Sequence, residues 1–421
     1  MNFQPSEKSL EYLSRLRAFM EKHIYPFEKE LAEFNNKQNA NADWVNWQEH
    51  SKIEAIKIKA KEEGLWNLFL PDHELGQGLS TLDYAPLAEE MGKVYNSAEF
   101  FNCNAPDTGN MEVLYHFGSS MQKEKFLKPL LEDEVKSVFA MTEPQVASSD
   151  ATNIETSILP QGEEIIVNGT KWWSTGLGHP RASFAIVMGK TDPEADRHNQ
   201  HSMVIVPLDS PGVKIKRMLP TFGAYDAPSG HGEVSFENVS VPKENLIQDY
   251  GAGFAIAQGR LGPGRIHHCM RCIGAAERAL YLTLVRSGTR EAFGRPLARL
   301  GGNAERVADA RINIDQARLL THYAAWKIDE FGIRKSMTEI SAIKVAAPKV
   351  LQEVTDMAMQ IHGGAGLSDD FPLTSFYMQA RALRLADGPD EVHKSVIAKI
   401  EYKKLLSSNL DYNELKSDQG S

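Results

Sequence analysis

The sequence predicts an α+β multidomain fold in three parts. A helical N-terminal domain covers residues 1–138, a small β-barrel or sandwich 139–243, and a four-helix-bundle-like domain 244–421. Two observations predict it. In both outer zones the apolar residues step by three or four, which gives a helix one buried stripe. Between them the period drops to two, in short runs bounded by Pro, Gly and Asp, as strands require.

In the first zone, Glu/Lys-rich amphipathic runs cover Ser51 to Glu63 and Ala85 to Gly92. The Pro- and Gly-punctuated stretch LPDHELGQGLS, Leu70 to Ser80, reads as the loop between them. In the second zone the alternating run from Glu164 reaches Asn168-Gly169, a hairpin signal. Further short strands are expected at 183–189, 202–208, 212–217 and 232–236. In the third zone, Gly262-Pro263-Gly264 reads as the entry to a long helix. One apolar stripe then runs from Val307 to Phe331 and a second from Ile343 to Ile361; both read as bundle core. The polar tail after Ser407 reads as a frayed end.

The 421 residues suffice for two or three domains with a large core. A net charge of -10 lacks the basic footprint of a nucleic-acid binder. No apolar stretch approaches the ~20 residues of a membrane span. The first residues carry charges where a secretory signal needs an apolar run. A soluble, cytoplasmic protein is expected. Cys103, Cys269 and Cys272 make no disulfide framework, and the last two, one helical turn apart, read as packing residues. His267 and His268 lack ligand partners at metal-site spacing, so no metal is assigned.

The segment AMTEPQVASSD, Ala140 to Asp150, has no hydrophobic period but many hydroxyl and turn residues. Two adjacent indoles follow in KWWSTG, Lys171 to Gly176. Flat aromatic surface beside hydroxyls suits a planar cofactor with polar edges. These segments, with GTREAFG, QIHGGAG and ALRLADGPDEVHK after them, resemble the acyl-CoA dehydrogenase family in order and near its spacing, over about residues 50 to 405.

The resemblance implies FAD. It implies Met141 and Thr142 at the flavin ring, Ser149 near the pyrophosphate, and Trp173 and Thr175 beside the reactive ring nitrogen. Arg290 and Phe293 look like the family element that reaches the FAD of a neighbouring subunit, and Gln360, Gly363 and Gly364 like its adenosine-side motif. A surface Arg at a helix end is the plain reading of Arg290. Arg265 matches an arginine near the active site and the CoA arm, or forms an ordinary ion pair at a helix start.

Asp387 occupies the place of the family's catalytic base, usually a glutamate followed by Gly-Thr. Here Gly388 and Pro389 follow it, and the proline removes a hydroxyl and an N–H otherwise offered to the cofactor. Aspartate is one methylene shorter, roughly 1.3 Å of reach. The apolar run Ala382 to Ala386 is expected to bury the carboxyl and raise its pKa. Asp390 and Glu391 are competing carboxylates, and a turn-forming Asp before Gly-Pro is the plain alternative. The backbone N–H of Asp387 would hold the enolate oxygen. Within the family, ADGPDEVH, KWWSTG and GRIHH look most like the branch with an aspartate base.

The implied reaction is FAD-dependent α,β-dehydrogenation of an acyl-CoA to a trans-2-enoyl-CoA. Electrons would pass to an electron-transferring flavoprotein, and the assembly would be a homodimer or homotetramer. A flavin oxidase of the same fold, resembling nitroalkane or acyl-CoA oxidases, and a non-catalytic helical scaffold are the alternatives. The polar segment FFNCNAPDTGNME, Phe100 to Glu112, falls where acyl contacts are made. Asn104 and Asp107 there point to an oxygenated or branched acyl group, or to a solvated loop.

Overall fold

The computed structural model describes residues 3–406, apart from the side chains of Leu261 and Pro263. The polar tail expected to fray lies outside the described residues.

Helices α1 (Glu7–Phe19), α2 (Tyr25–Asn39), α3 (Lys52–Glu62), α4 (Thr81–Gly92) and α5 (Asp107–Phe117) come first, with short α6 (Ser120–Gln122) and α7 (Lys128–Leu131). Strands β1 (Lys136–Ala140), β2 (Ser157–Gln161), β3 (Glu164–Thr175), β4 (Ala182–Lys190), β5 (His201–Pro207), β6 (Val213–Met218) and β7 (His231–Pro242) follow. Helix α8 (Gly253–Thr289) leads into a hairpin of β8 (Glu291–Ala292) and β9 (Arg295–Pro296). Helices α9 (Asn303–Phe331), α10 (Met337–His362), α11 (Leu373–Leu383) and α12 (Asp390–Leu406) complete the bundle. No helix among the described residues is long and apolar enough to cross a membrane.

The order is the expected helix–strand–helix one. The strands form one curled sheet, β1-β4-β2-β3-β7-β6, with β5 on β4. Side chains on β4 and β5 are buried on both faces. Phe184, Ile186, Met203 and Ile205 pack against the helices, while Ala185, Val187, Val204 and Val206 fill the inside of the curl. That explains their nearly unbroken apolar runs.

Two sequence expectations change. Asn168-Gly169 makes no hairpin: β3 runs through it, with a register irregularity against β7 there. The turn that does join β2 to β3 is Gly162-Glu163, with Gly162 at φ +65°. An alternating run on both sides of Asn-Gly is equally compatible with one bulged strand. Gly262–Gly264 is no helix entry either, since α8 begins nine residues earlier, at Gly253. Ile256 and Ala257 before the tripeptide and Ile266, Met270 and Ile273 after it are all buried. That burial outweighs the roughly 3 kcal/mol cost of a proline inside a helix.

A buried ion network joins the helical domain to the sheet. Lys57 lies 2.6 Å from Glu99 and 2.8 Å from Asp133, while Lys136 at the start of β1 lies 2.6 Å from both. Arg181 binds Glu49 at 2.8 Å and Asp133 at 3.1 Å. Helices α4 and α8 cross in near backbone contact: a Cβ on Gly274 would sit 1.8 Å from the Glu89 carbonyl oxygen, and one on Gly92 2.2 Å from that of Arg271. Replacing Gly274 with valine must push these helices apart. We expect Gly274→Val to cost about 3 kcal/mol, seen as a lower thermal midpoint by calorimetry, while Gly223→Ala, with open space around its Cβ position, should cost less despite its positive φ.

Candidate active site

A cavity of about 1260 Å³ opens between the sheet, α8 and the turn that joins α11 to α12. Met141, Thr142 and Ser149 line it from the loop after β1, Trp173 and Thr175 from β3, and Arg265 from α8. Asn104 and Asp387 line it as well. Most of the residues that the motifs single out therefore meet around one space.

Local structure aims them. Between Lys171 and Ser174, β3 carries one residue more than β7, and Trp173 takes a left-handed conformation, φ 52°. Such a bulge re-aims a side chain; the indole is left 43% exposed on the cavity wall. The loop before it is pinned by Glu143, which accepts from Thr156 N–H at 2.8 Å, Glu155 N–H at 2.9 Å and Lys171 Nζ at 2.8 Å. Lys171 also reaches the Met141 carbonyl at 2.8 Å. Burial pushes its pKa down to about 8, against the pull of Glu143. The Thr175 hydroxyl meets His231 Nδ1 at 2.9 Å.

Asp387 sits between α11 and α12 at φ 54°, followed by Gly388 at φ 100°. Aspartate tolerates this left-handed region better than most residues. Its carbonyl accepts from Arg265 Nε at 3.1 Å and His393 Nε2 at 3.2 Å. Buried Lys344 of α10 donates to the Gly388 carbonyl at 3.2 Å and to that of Leu383. The Asp387 N–H has no hydrogen-bond acceptor among the described residues. Its carboxylate Oδ2 lies 3.6 Å from His268 Nε2. Arg271 donates to His268 Nδ1 at 3.1 Å. Of the competing carboxylates, Asp390 is buried against Arg384 at 2.8 Å, and Glu391 is exposed on the cavity rim.

The expected rise of the Asp387 pKa does not occur. Burial does push it up, but His268, Arg260, Arg265 and Lys344 together outweigh burial and hold it below the ordinary aspartate value. Nor does the run Ala382–Ala386 enclose it, since Leu385 is 59% exposed and Ala386 is exposed. The charges come from α8 and α10, distant in sequence, which is why the local run misled.

Asp107 does not line the cavity. Its Oδ1 accepts from Ser137 N–H and Oγ, and its Oδ2 lies 3.2 Å from Lys136, in the buried network. Asn102 and Asn110 are likewise spent on internal hydrogen bonds, so Asn104 and Thr108 remain from that polar segment to face the cavity. Arg290, Phe293, Gln360, Gly363 and Gly364 lie outside it. Phe293, at φ 51° in the Phe293-Gly294 tip of the β8–β9 hairpin, is 96% exposed. Sequence reading did not single out Arg260, Arg271, Lys344 or His393, and weighed His268 only as a metal ligand; no local motif marks them.

Arg260 is buried over the Phe139 ring, 3.8 Å from its centroid, with Nε donating to Asn110. Close by, burial pushes the Glu112 carboxyl up to about 8, with Arg260 opposing, and Glu112 Oε2 has no hydrogen-bond partner. The unfolded chain releases this proton near the ordinary value of 4.5 while the folded chain keeps it to about 8. Stability therefore falls as pH rises through that window. Glu112→Gln should remove this slope. We expect the variant to match the wild type near pH 4.5 and to gain a few kcal/mol by pH 8, read by denaturant melts at the two pH values.

Three family models of acyl-CoA dehydrogenase match in series: the N-terminal domain over residues 6–134, the middle domain over 138–239 and the C-terminal domain over 251–401. Acyl-CoA dehydrogenase family member 11 of Mus musculus is 52% identical over 95% of this chain, which spans about half (51%) of that relative's length. A Mycobacterium tuberculosis protein named as an acyl-CoA dehydrogenase, FadE2, is 49% identical over 97% of this chain and 98% of its own. Among solved structures, butyryl-CoA dehydrogenase from Megasphaera elsdenii superposes with a TM-score of 0.79 at 27% identity, covering 96% of this chain and all (100%) of the other. A Mycobacterium abscessus structure described as an acyl-CoA dehydrogenase reaches 0.93 at 53% identity, covering 96% and 100%. With the same three domains in the same order, this chain belongs to the acyl-CoA dehydrogenase family.

Proposed function

We propose that this protein is an FAD-dependent acyl-CoA dehydrogenase that removes the α-proton of an acyl-CoA thioester with Asp387 and yields a trans-2-enoyl-CoA. The supporting observation is that Asp387, Trp173 and Thr175, from opposite walls, line one cavity. The exposed indole of Trp173 gives a flat surface for a flavin ring, and the pinned loop at Met141, Thr142 and Ser149 supplies polar groups for its edge and pyrophosphate. When bound, FAD supplies the acceptor for the hydride that leaves the β-carbon.

The remaining work falls to the chain's own residues. Asp387, ionised through the neutral range, accepts the α-proton. Its unpaired N–H is free to hold the thioester oxygen as negative charge develops there. Arg265 fixes the turn by binding the Asp387 carbonyl. Asn104, Thr108 and Arg260 give the cavity polar lining, which favours an oxygenated acyl group over a plain hydrocarbon chain. Arg290 and the bare Phe293 ring, outside this cavity, fit a role across a subunit contact, where a neighbour's FAD would be gripped in a homodimer or homotetramer. An electron-transferring flavoprotein would take the electrons onward.

Anaerobic titration with a panel of acyl-CoAs, 4-hydroxylated ones included, tests the reaction by flavin absorbance. One class should bleach the flavin, and Asp387→Asn should bind that class yet bleach it at least ~10²-fold more slowly. A flavin that no acyl-CoA bleaches would refute the dehydrogenase reading. Equal use of plain and hydroxylated chains would refute the polar acyl group. Arg290→Ala should lose FAD on dilution with roughly tenfold weaker affinity and an unchanged circular dichroism spectrum; undiminished retention would remove it from the cofactor site.

A further inference from the structure

We propose that His268 is a positioning residue for Asp387: locked by Arg271 in the tautomer that carries its proton on Nε2, it donates to the base carboxylate and keeps it aimed into the cavity. This rests on the reading of Asp387 as the base. Arg265, His268 and Arg271 step by three along α8 and so share one face of the helix. All three line the cavity. Arg271 is anchored from outside the helix, because its Nη1 donates to the Cys103 carbonyl at 3.1 Å. Its Nη2 meets His268 Nδ1 at 3.1 Å.

A guanidinium has donors only, so His268 Nδ1 must accept there. Burial, with Arg271 beside it, pushes the His268 pKa down to about 4. The neutral ring then holds a single proton, and it sits on Nε2. That nitrogen faces Asp387 Oδ2 at 3.6 Å. Contacts of this kind are often long before substrate binds and shorten afterwards. The line from the Cys103 carbonyl through Arg271 and His268 to Asp387 thus ties the base to the segment between α4 and α5.

Other groups also face these two side chains. Arg260, Arg265 and Cys269 from α8, Lys344 from α10 and His393 from α12 all act on Asp387. Arg260 and Lys344 also act on His268. Arg265 and His393 bind the Asp387 carbonyl, and Lys344 binds the carbonyl of the next residue. Among the described residues, His268 is the one basic side chain in contact with the carboxylate itself.

The test is the carboxylate stretching band of Asp387 at neutral pH, in the FAD-loaded enzyme without acyl-CoA, by infrared difference spectra with Asp387→Asn as the blank. At that pH the His268 ring is neutral and Asp387 is ionised. His268→Ala and His268→Leu both remove the donor, the second with little loss of volume. Each should shift the band to that of a carboxylate lacking this donor. His268→Gln, whose amide N–H reaches near the Nε2 position, should restore the wild-type band. A leucine variant with the wild-type band, or a glutamine variant shifted as far as leucine, would overturn the proposal. Acyl-CoA bleaching is read separately, so failure of the dehydrogenase reading would leave the carboxylate band able to judge His268.

Discussion

The site depends on one buried ammonium. Lys344, fully buried in α10, holds the carbonyls of Leu383 and Gly388, on either side of the α11–α12 turn. The last carbonyls of a helix have no partner of their own, and a cation there meets both the missing donor and the negative end of the helix dipole. With both ends of the turn tied to α10, Asp387 is carried through a left-handed conformation that costs about 1–2 kcal/mol. Arg265 and His393 then bind its carbonyl, and the side chain is left to face the cavity.

The same grip sets the electrostatics. A carboxyl taken out of water would normally stay protonated longer. Here the cations needed to hold the turn stand close enough to reverse that tendency. The result is a carboxylate ready to accept a proton at neutral pH, though a weaker base than a carboxyl in apolar surroundings. The opposite wall follows a similar logic, with a buried pair, Lys171 and Glu143, fixing an irregular loop by satisfying its backbone groups. Both walls spend buried charge on shape, since breaking such a pair leaves an expensive orphan.

Much of this was legible in the sequence because it is local. The change of period between zones marked the three-part order, and the short motifs marked Met141, Thr142, Trp173, Thr175 and Asp387, which meet around one cavity. What was not legible is non-local. Asn168-Gly169 carries the same letters in a bulge as in a hairpin, and only pairing with β7 decides between them. The polar letters of Phe100–Glu112 looked like ligand contacts, but Asp107, Asn102 and Asn110 are consumed by Ser137, Lys136 and neighbouring carbonyls. No local motif marks Lys344, and His268 stood out only as a histidine without metal-ligand spacing, because their importance comes from what α11 and α12 bring against them.

The most direct measurement is a crystal structure of the FAD-loaded enzyme with an acyl-CoA analogue that cannot be dehydrogenated. The account predicts the Asp387 turn unchanged, with one carboxylate oxygen within hydrogen-bond reach of the α-carbon's proton and the thioester oxygen at the Asp387 N–H. An analogue whose α-carbon lies nearer Glu391, or a turn that has released Lys344, would contradict it.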